Sequence, residues 1–110
     1  MKIICLGNYL PRQCGIATFT ENLVKAILQA AQIQFQGVEI EVIAMDDTTE
    51  SYPYPGIVRK TIPDQDVDAY VKMAEYINGS GADLLLLQHE YGIFGGESGL
   101  HLLALLRRVK

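Results

Sequence analysis

Lys2-Ile3-Ile4-Cys5-Leu6-Gly7 opens the chain, and Ala82-Asp83-Leu84-Leu85-Leu86-Leu87-Gln88 stands toward its far end. Both are short apolar runs without polar alternation, stopped by a glycine or by polar residues. Strands that read this way are covered on both faces, as the strands of a parallel sheet are. They are the expected first and fourth strands. After the first, apolar residues recur at Ile16, Phe19, Leu23, Ile27 and Ala31, with Val24 and Leu28 widening the stripe. That spacing predicts a helix. Either Gly15 opens it, or Thr18 and Glu21 form a capping box one turn later.

Residues 38–45 alternate with Glu39 and Glu41 and then become continuously apolar, which predicts a second strand with one half-exposed end. Residues 46–56 carry Asp46, Asp47, Pro53 and Pro55 and read as an exposed loop. The two acids end the second strand, where dinucleotide enzymes hold a ribose, but without a glycine fingerprint they read better as a solvated turn. A β-branched third strand over 57–62 ends at Pro63. Val67, Tyr70, Val71, Ala74 and Ile77 then mark a second helix that Gly79 can cap. Glu97 and Ser98 lead into Leu100, Leu103 and Leu106 with Arg107, Arg108 and Lys110 behind, acid first and bases last, as a helix dipole favours. This is a third helix.

Strand, helix, strand, strand, helix, strand, helix is the grammar of an α/β fold. The expectation is a Rossmann-like, mostly parallel sheet with flanking helices, four strands and three helices, in strand order 3-2-1-4. A doubly wound domain places its next strand beside the fourth, so residues 1–110 read as the first part of such a domain, with an open apolar edge on strand four.

At 110 residues the chain is one domain at most. With 49% hydrophobic and 20% charged residues it has the composition of a folded protein. A formal charge of -4 without a Lys/Arg stripe argues against nucleic acid as a partner. No apolar run is long enough to span a bilayer and no signal peptide is evident, which predicts a cytoplasmic protein without a transmembrane segment. Cys5 and Cys14, the two cysteines, lack Cys-x-x-Cys spacing and a His-rich neighbourhood, so neither a metal site nor a disulfide framework is expected. No cofactor is implied.

Ligands of open parallel sheets bind beyond the carboxyl ends of the strands, where strand order reverses, here between strands one and four. Two glycine-bearing loops are expected there, residues 7–15 and 89–96. The first ends at a helix N-terminus, whose free N–H groups and dipole favour an anion such as phosphate, and Gly15 permits close approach of the backbone formed with Ile16. It matches neither G-x-G-x-x-G nor the Walker pattern. The plainer reading is that Gly15 relieves a tight turn, and that Arg12 and Gln13 are solvated. In the second loop His89 and Glu90 stand at a strand end from which a side chain reaches a ligand, while Gly92, Gly95 and Gly96 allow a close backbone or a hinge. His89 is alternatively structural, and Glu90 orients it or faces water. His101, inside the last helix, reads as structural. Cys14 has no sequence-near histidine to activate it as a nucleophile.

Pro11-Arg12-Gln13-Cys14-Gly15-Ile16-Ala17-Thr18-Phe19-Thr20 together with Gln88-His89-Glu90-Tyr91-Gly92-Ile93-Phe94-Gly95-Gly96 resembles the N-terminal domain of family 4 glycosyltransferases. The resemblance runs from Lys2 to the last helix. It implies the GT-B architecture, two Rossmann-like domains facing a cleft, with the acceptor side here and the nucleotide sugar held by a C-terminal domain. It implies a retaining transfer of a sugar from a nucleotide-sugar donor to an acceptor hydroxyl. Gly15 matches the glycine whose backbone faces the donor diphosphate, and His89 the strand-end histidine lining the cleft. Arg12, Glu90 and Gly92 fall in the same motifs. The family's paired-Glu motif and basic diphosphate clamp belong to the C-terminal domain and do not occur in these residues. The chain alone is therefore expected to be inactive, and no catalytic residue is assigned within it.

A reading from another class is a flavodoxin-like or receiver-like regulatory module without chemistry. A receiver needs acids at the end of its first strand, where Gly7 and Asn8 stand.

Overall fold

The structure, a computed structural model, describes residues 1–9, 15–34, 37–46, 53–88 and 100–109. In chain order these form β1 (Lys2–Gly7), α1 (Gly15–Gln34), β2 (Glu39–Asp46), β3 (Val58–Pro63), α2 (Val67–Gly79), β4 (Leu84–Leu87) and α3 (His101–Leu106). The four strands make one sheet in the order β3-β2-β1-β4, and every pairing is parallel. Leu6 lies opposite Ile43 on one side and Leu87 on the other. This is an α/β arrangement with a Rossmann-like parallel sheet, in the strand order expected.

Continuous apolar runs become central strands because both faces are covered. Ile4, Leu6, Ile43, Met45 and Ile62 pack with Tyr70, Met73, Ala74 and Ile77 of α2 and Leu102 and Leu105 of α3. The alternate residues Cys5, Val42 and Ala44 pack with Val24 of α1 and with Tyr9 on the opposite face. Period-two alternation thus assigns each residue of β1 and β2 to one helix layer or the other. Each fully buried Ile or Leu contributes roughly 1.5–3 kcal/mol by leaving water.

Helix α1 begins at Gly15, which resolves the ambiguous start, and Thr18 lies exposed within it. Glu21 forms an i,i+4 ion pair with Lys25 at 3.2 Å instead of a capping box. The inward stripe also differs from expectation. Ala17, Thr20 and Val24 are buried, whereas Phe19 is 56% exposed. The sheet-facing side runs 17, 20, 24, 28, so the buried threonine rather than the phenylalanine marks it.

Asp66 caps α2, its Oδ1 accepting from Ala69 N–H at 3.3 Å, a cap worth roughly 1 kcal/mol. At the other end Gly79 is the last helical residue and Ser80 the cap. The glycine with the left-handed backbone is Gly81, at φ 78°. The expected capping glycine is displaced by two residues because Ser80 satisfies the helix end itself, its backbone N–H and Oγ both donating to Ile77 O.

The amino ends of the strands are tied by polar contacts. Lys2 N–H donates to Asp83 Oδ2 and Asp83 N–H to Lys2 O, both at 2.8 Å, which joins β1 to the start of β4. Tyr76 Oη donates to Glu41 Oε1 at 2.6 Å, and Lys2 Nζ lies 3.7 Å from Glu41 Oε2. That hydrogen bond to the carboxylate, with burial, raises the Tyr76 phenol above its ordinary value. The two outer strands of the described sheet differ. β3 presents exposed Arg59, Lys60 and Pro63, whereas β4 is four leucines, Leu84 exposed and the others half-buried. Charge and proline blunt the first edge, and among the described residues β4 itself carries neither.

Candidate functional site

The carboxyl ends of β1, β2 and β4 come together on one side of the molecule, and Glu21 of α1 lies near Tyr9 just past the end of β1. β1 ends at Gly7 and is followed by Asn8 and Tyr9, 2% and 3% exposed. β4 ends at Leu87, and Gln88 N–H still donates to Leu6 O at 2.9 Å, so the chain leaves β4 directly beside the end of β1. This is the point where strand order reverses, because β1 connects to β2 on one side and pairs with β4 on the other.

Gly15 and Ile16 are the first two residues of the twenty-residue α1, which follows β1 in the chain. A helix of that length carries about half a positive charge at its N-terminus, with free backbone N–H groups in its first turn. Both are consistent with anion binding. The remaining proposed cleft residues, Arg12, His89, Glu90 and Gly92, lie outside the described residues, as do Cys14, Tyr91 and Phe94. His101 is half-buried in α3 with its ring edge-on to Tyr70, 5.9 Å between centroids, a packing role.

A second group at this end of the sheet escaped sequence reading. Asp46, expected in a solvated turn, is the last residue of β2 and only 4% exposed. Its Oδ1 accepts a 2.6 Å hydrogen bond from Tyr54 Oη, and its backbone oxygen accepts from Asp64 N–H at 2.9 Å. Burial of a carboxylate requires such a donor, and Tyr54, packed against the α1-side core, supplies it. The signal was present as a tyrosine eight residues after an acid ending a buried strand, but loop composition obscured it. Beside this pair, burial and the nearby Glu21 and Cys5 raise the Tyr9 phenol above its ordinary value, so Tyr9 is a neutral hydroxyl at physiological pH.

Cys5 is buried in β1, and burial pushes its thiol up to about 11, the opposite of an activated nucleophile. Among the described residues no group of three His, Cys, Asp or Glu side chains is arranged to hold a metal ion. Among them, too, no helix is long and apolar enough to cross a membrane. Comparison with protein-family models, with curated proteins and with solved structures finds no match for this chain.

Proposed function

We propose that this chain forms the first part of the acceptor-side, N-terminal domain of a retaining, family 4, GT-B glycosyltransferase acting in the cytoplasm on a nucleotide-sugar donor and an acceptor hydroxyl. One observation carries the reading. A long helix opening with Gly15 follows β1, while the hydrogen-bonded neighbour β4 leads within two residues to His89, so both resembling motifs issue from adjacent strand ends. In such a transfer the departing diphosphate gains negative charge, and preorganised N–H donors at a helix N-terminus stabilise it. Gly15 and Ile16 supply that backbone. By the resemblance, Arg12, His89, Glu90 and Gly92 are the residues assigned to the acceptor side of the cleft. The donor base and sugar are held by the enzyme's C-terminal domain, the partner against which this domain closes.

The test is an assay of the polypeptide encoded by the complete reading frame, with UDP-, GDP- and ADP-sugars, and NMR assignment of the product's anomeric configuration. Transfer with retention is expected. His89→Ala should lower that transfer while leaving the melting temperature unchanged. Inversion, or no nucleotide release from any donor, would rule the reading out. The 110-residue chain by itself should turn over no donor, and measurable turnover by it would equally overturn the assignment of this part.

A further inference from the structure

We propose that the outer face of α3, together with the start of α2, is a two-fold interface to a second copy of this chain. Leu100, Leu103 and Leu106 are 53%, 41% and 38% exposed, and Val67 beside them is 41% exposed. Val67, Leu100, Leu103 and Ala104 line an open groove of about 430 Å³ that Arg107 and Arg108 close at one end. A contiguous apolar surface of this kind with a polar rim marks a contact site.

The groove has a direction. His101, at the start of α3, packs on Tyr70 near the start of α2, and Asn78 Nδ2 near the end of α2 donates to Arg108 O at 2.8 Å. The two helices therefore run parallel. At the end where both begin, the exposed Asp66 and Asp68 flank Val67. At the other, roughly 12 Å along α3 from Leu100, stand the exposed Arg107 and Arg108. Among the described residues neither arginine is paired with a carboxylate, and Arg108 Nη1 donates only to Ala104 O.

A surface with exposed acids beside one end of the groove, apolar residues along it and arginines at the other end is complementary to itself after a half-turn. A second copy rotated about an axis normal to α3 brings its arginines onto the first copy's acids and its acids onto the first copy's arginines, with leucines between. That is the reciprocal pattern a two-fold interface requires. A partner of uniform charge would match one end and be repelled at the other.

Sedimentation equilibrium on the chain should show a monomer–dimer equilibrium. Leu103→Glu, at an exposed position, should leave the circular dichroism melt unchanged and abolish the dimer. Arg107→Glu/Arg108→Glu and, separately, Asp68→Lys should each weaken self-association about tenfold, since every ion contact occurs twice per dimer. An equimolar mixture of those two variants should associate more tightly than either alone, because in the mixed dimer one acidic end again faces an unaltered arginine pair and the introduced lysine faces the introduced glutamates. A chain that stays monomeric at about 0.1 mM, a Leu103→Glu protein that still dimerises, or a mixture no tighter than its components would each overturn the proposal.

Discussion

Gly7 and Gln88 meet across the carboxyl ends of β1 and β4 so closely that a Cβ added to Gly7 would lie 2.9 Å from Gln88 Cβ and 3.2 Å from its carbonyl oxygen. Both obstructing atoms belong to or adjoin the backbone of a hydrogen-bonded neighbour, so neither can swing aside. The two strand ends that carry the candidate motifs are thus held at a spacing only glycine allows.

Gly7→Ala should therefore destabilise the protein by roughly 1–3 kcal/mol, the usual cost of forcing an extra methyl into a packed site. Urea denaturation monitored by circular dichroism measures this. Gly56, with open space around its Cβ position, is the control: Gly56→Ala should change stability much less. Equal effects at the two positions would show that the approach of Gly7 to Gln88 is not the constraint.

The buried Asp46 carboxylate depends on Tyr54. Tyr54→Phe removes the hydroxyl and leaves the ring, so the loss reports the short hydrogen bond to Asp46 Oδ1 together with the longer one to Met45 O at 3.4 Å, about 1.5–3 kcal/mol in all. Asp46→Asn keeps an oxygen that accepts from Tyr54 and should cost less than Tyr54→Phe. A Tyr54→Phe protein as stable as the parent would mean that water satisfies Asp46 equally well.

Strand order is legible in this sequence because Ile3–Leu6 and Leu84–Leu87 lack polar alternation, and runs of that kind are stable in a parallel sheet. Helix faces are less legible. Phe19 fits the apolar period yet is exposed, while Thr20 is fully buried, because position on a helix is set by the packing of Ala17 and Val24 on the sheet, and hydrophobicity alone does not register a one-residue rotation of the stripe. The burial of Asp46 is illegible for a related reason: its neighbours in sequence are polar, and its side chain finds a donor that only tertiary structure brings near. The start of α1 at Gly15 is legible as a glycine standing ahead of a helical apolar period.

Cys5 should make stability fall at alkaline pH. Burial raises its thiol from 9.0 to about 11 in the folded protein, so the unfolded chain loses this proton first. The folded form then binds more protons than the unfolded form, and stability declines as pH rises from about 9 to about 11, by about 2–3 kcal/mol from this residue. Below pH 9 the contribution is constant. Cys5→Ala should lose some packing energy at neutral pH but show a flatter stability profile between those values. In the native protein, iodoacetamide at pH 8 should leave Cys5 unmodified, read by mass spectrometry on the tryptic peptide 3–12, which Arg12 separates from the one containing Cys14. Rapid modification of that peptide under native conditions, or a slope unchanged by Cys5→Ala, would contradict the burial argument.

Gly15 is the residue at which fold and proposed function separate most cleanly. It is the first residue of α1, in helical backbone that any L residue can adopt, so Gly15→Val should leave the fold largely intact. If its role is to let phosphate oxygens reach the N–H groups of the first helical turn, a branched side chain there displaces the anion. The lost charge-assisted hydrogen bond is worth roughly 1.5–3 kcal/mol, about tenfold or more in affinity. Calorimetric titration of the complete polypeptide with nucleoside diphosphate reads that loss, and Gly15→Ala should fall between valine and the parent. Raising ionic strength should weaken the parent's binding, because the helix end attracts the ligand through charge. If Gly15→Val binds as tightly as the parent, the anion is held elsewhere. If it fails to fold, Gly15 serves the turn between β1 and α1, and the resemblance loses the physical support that this helix start provides.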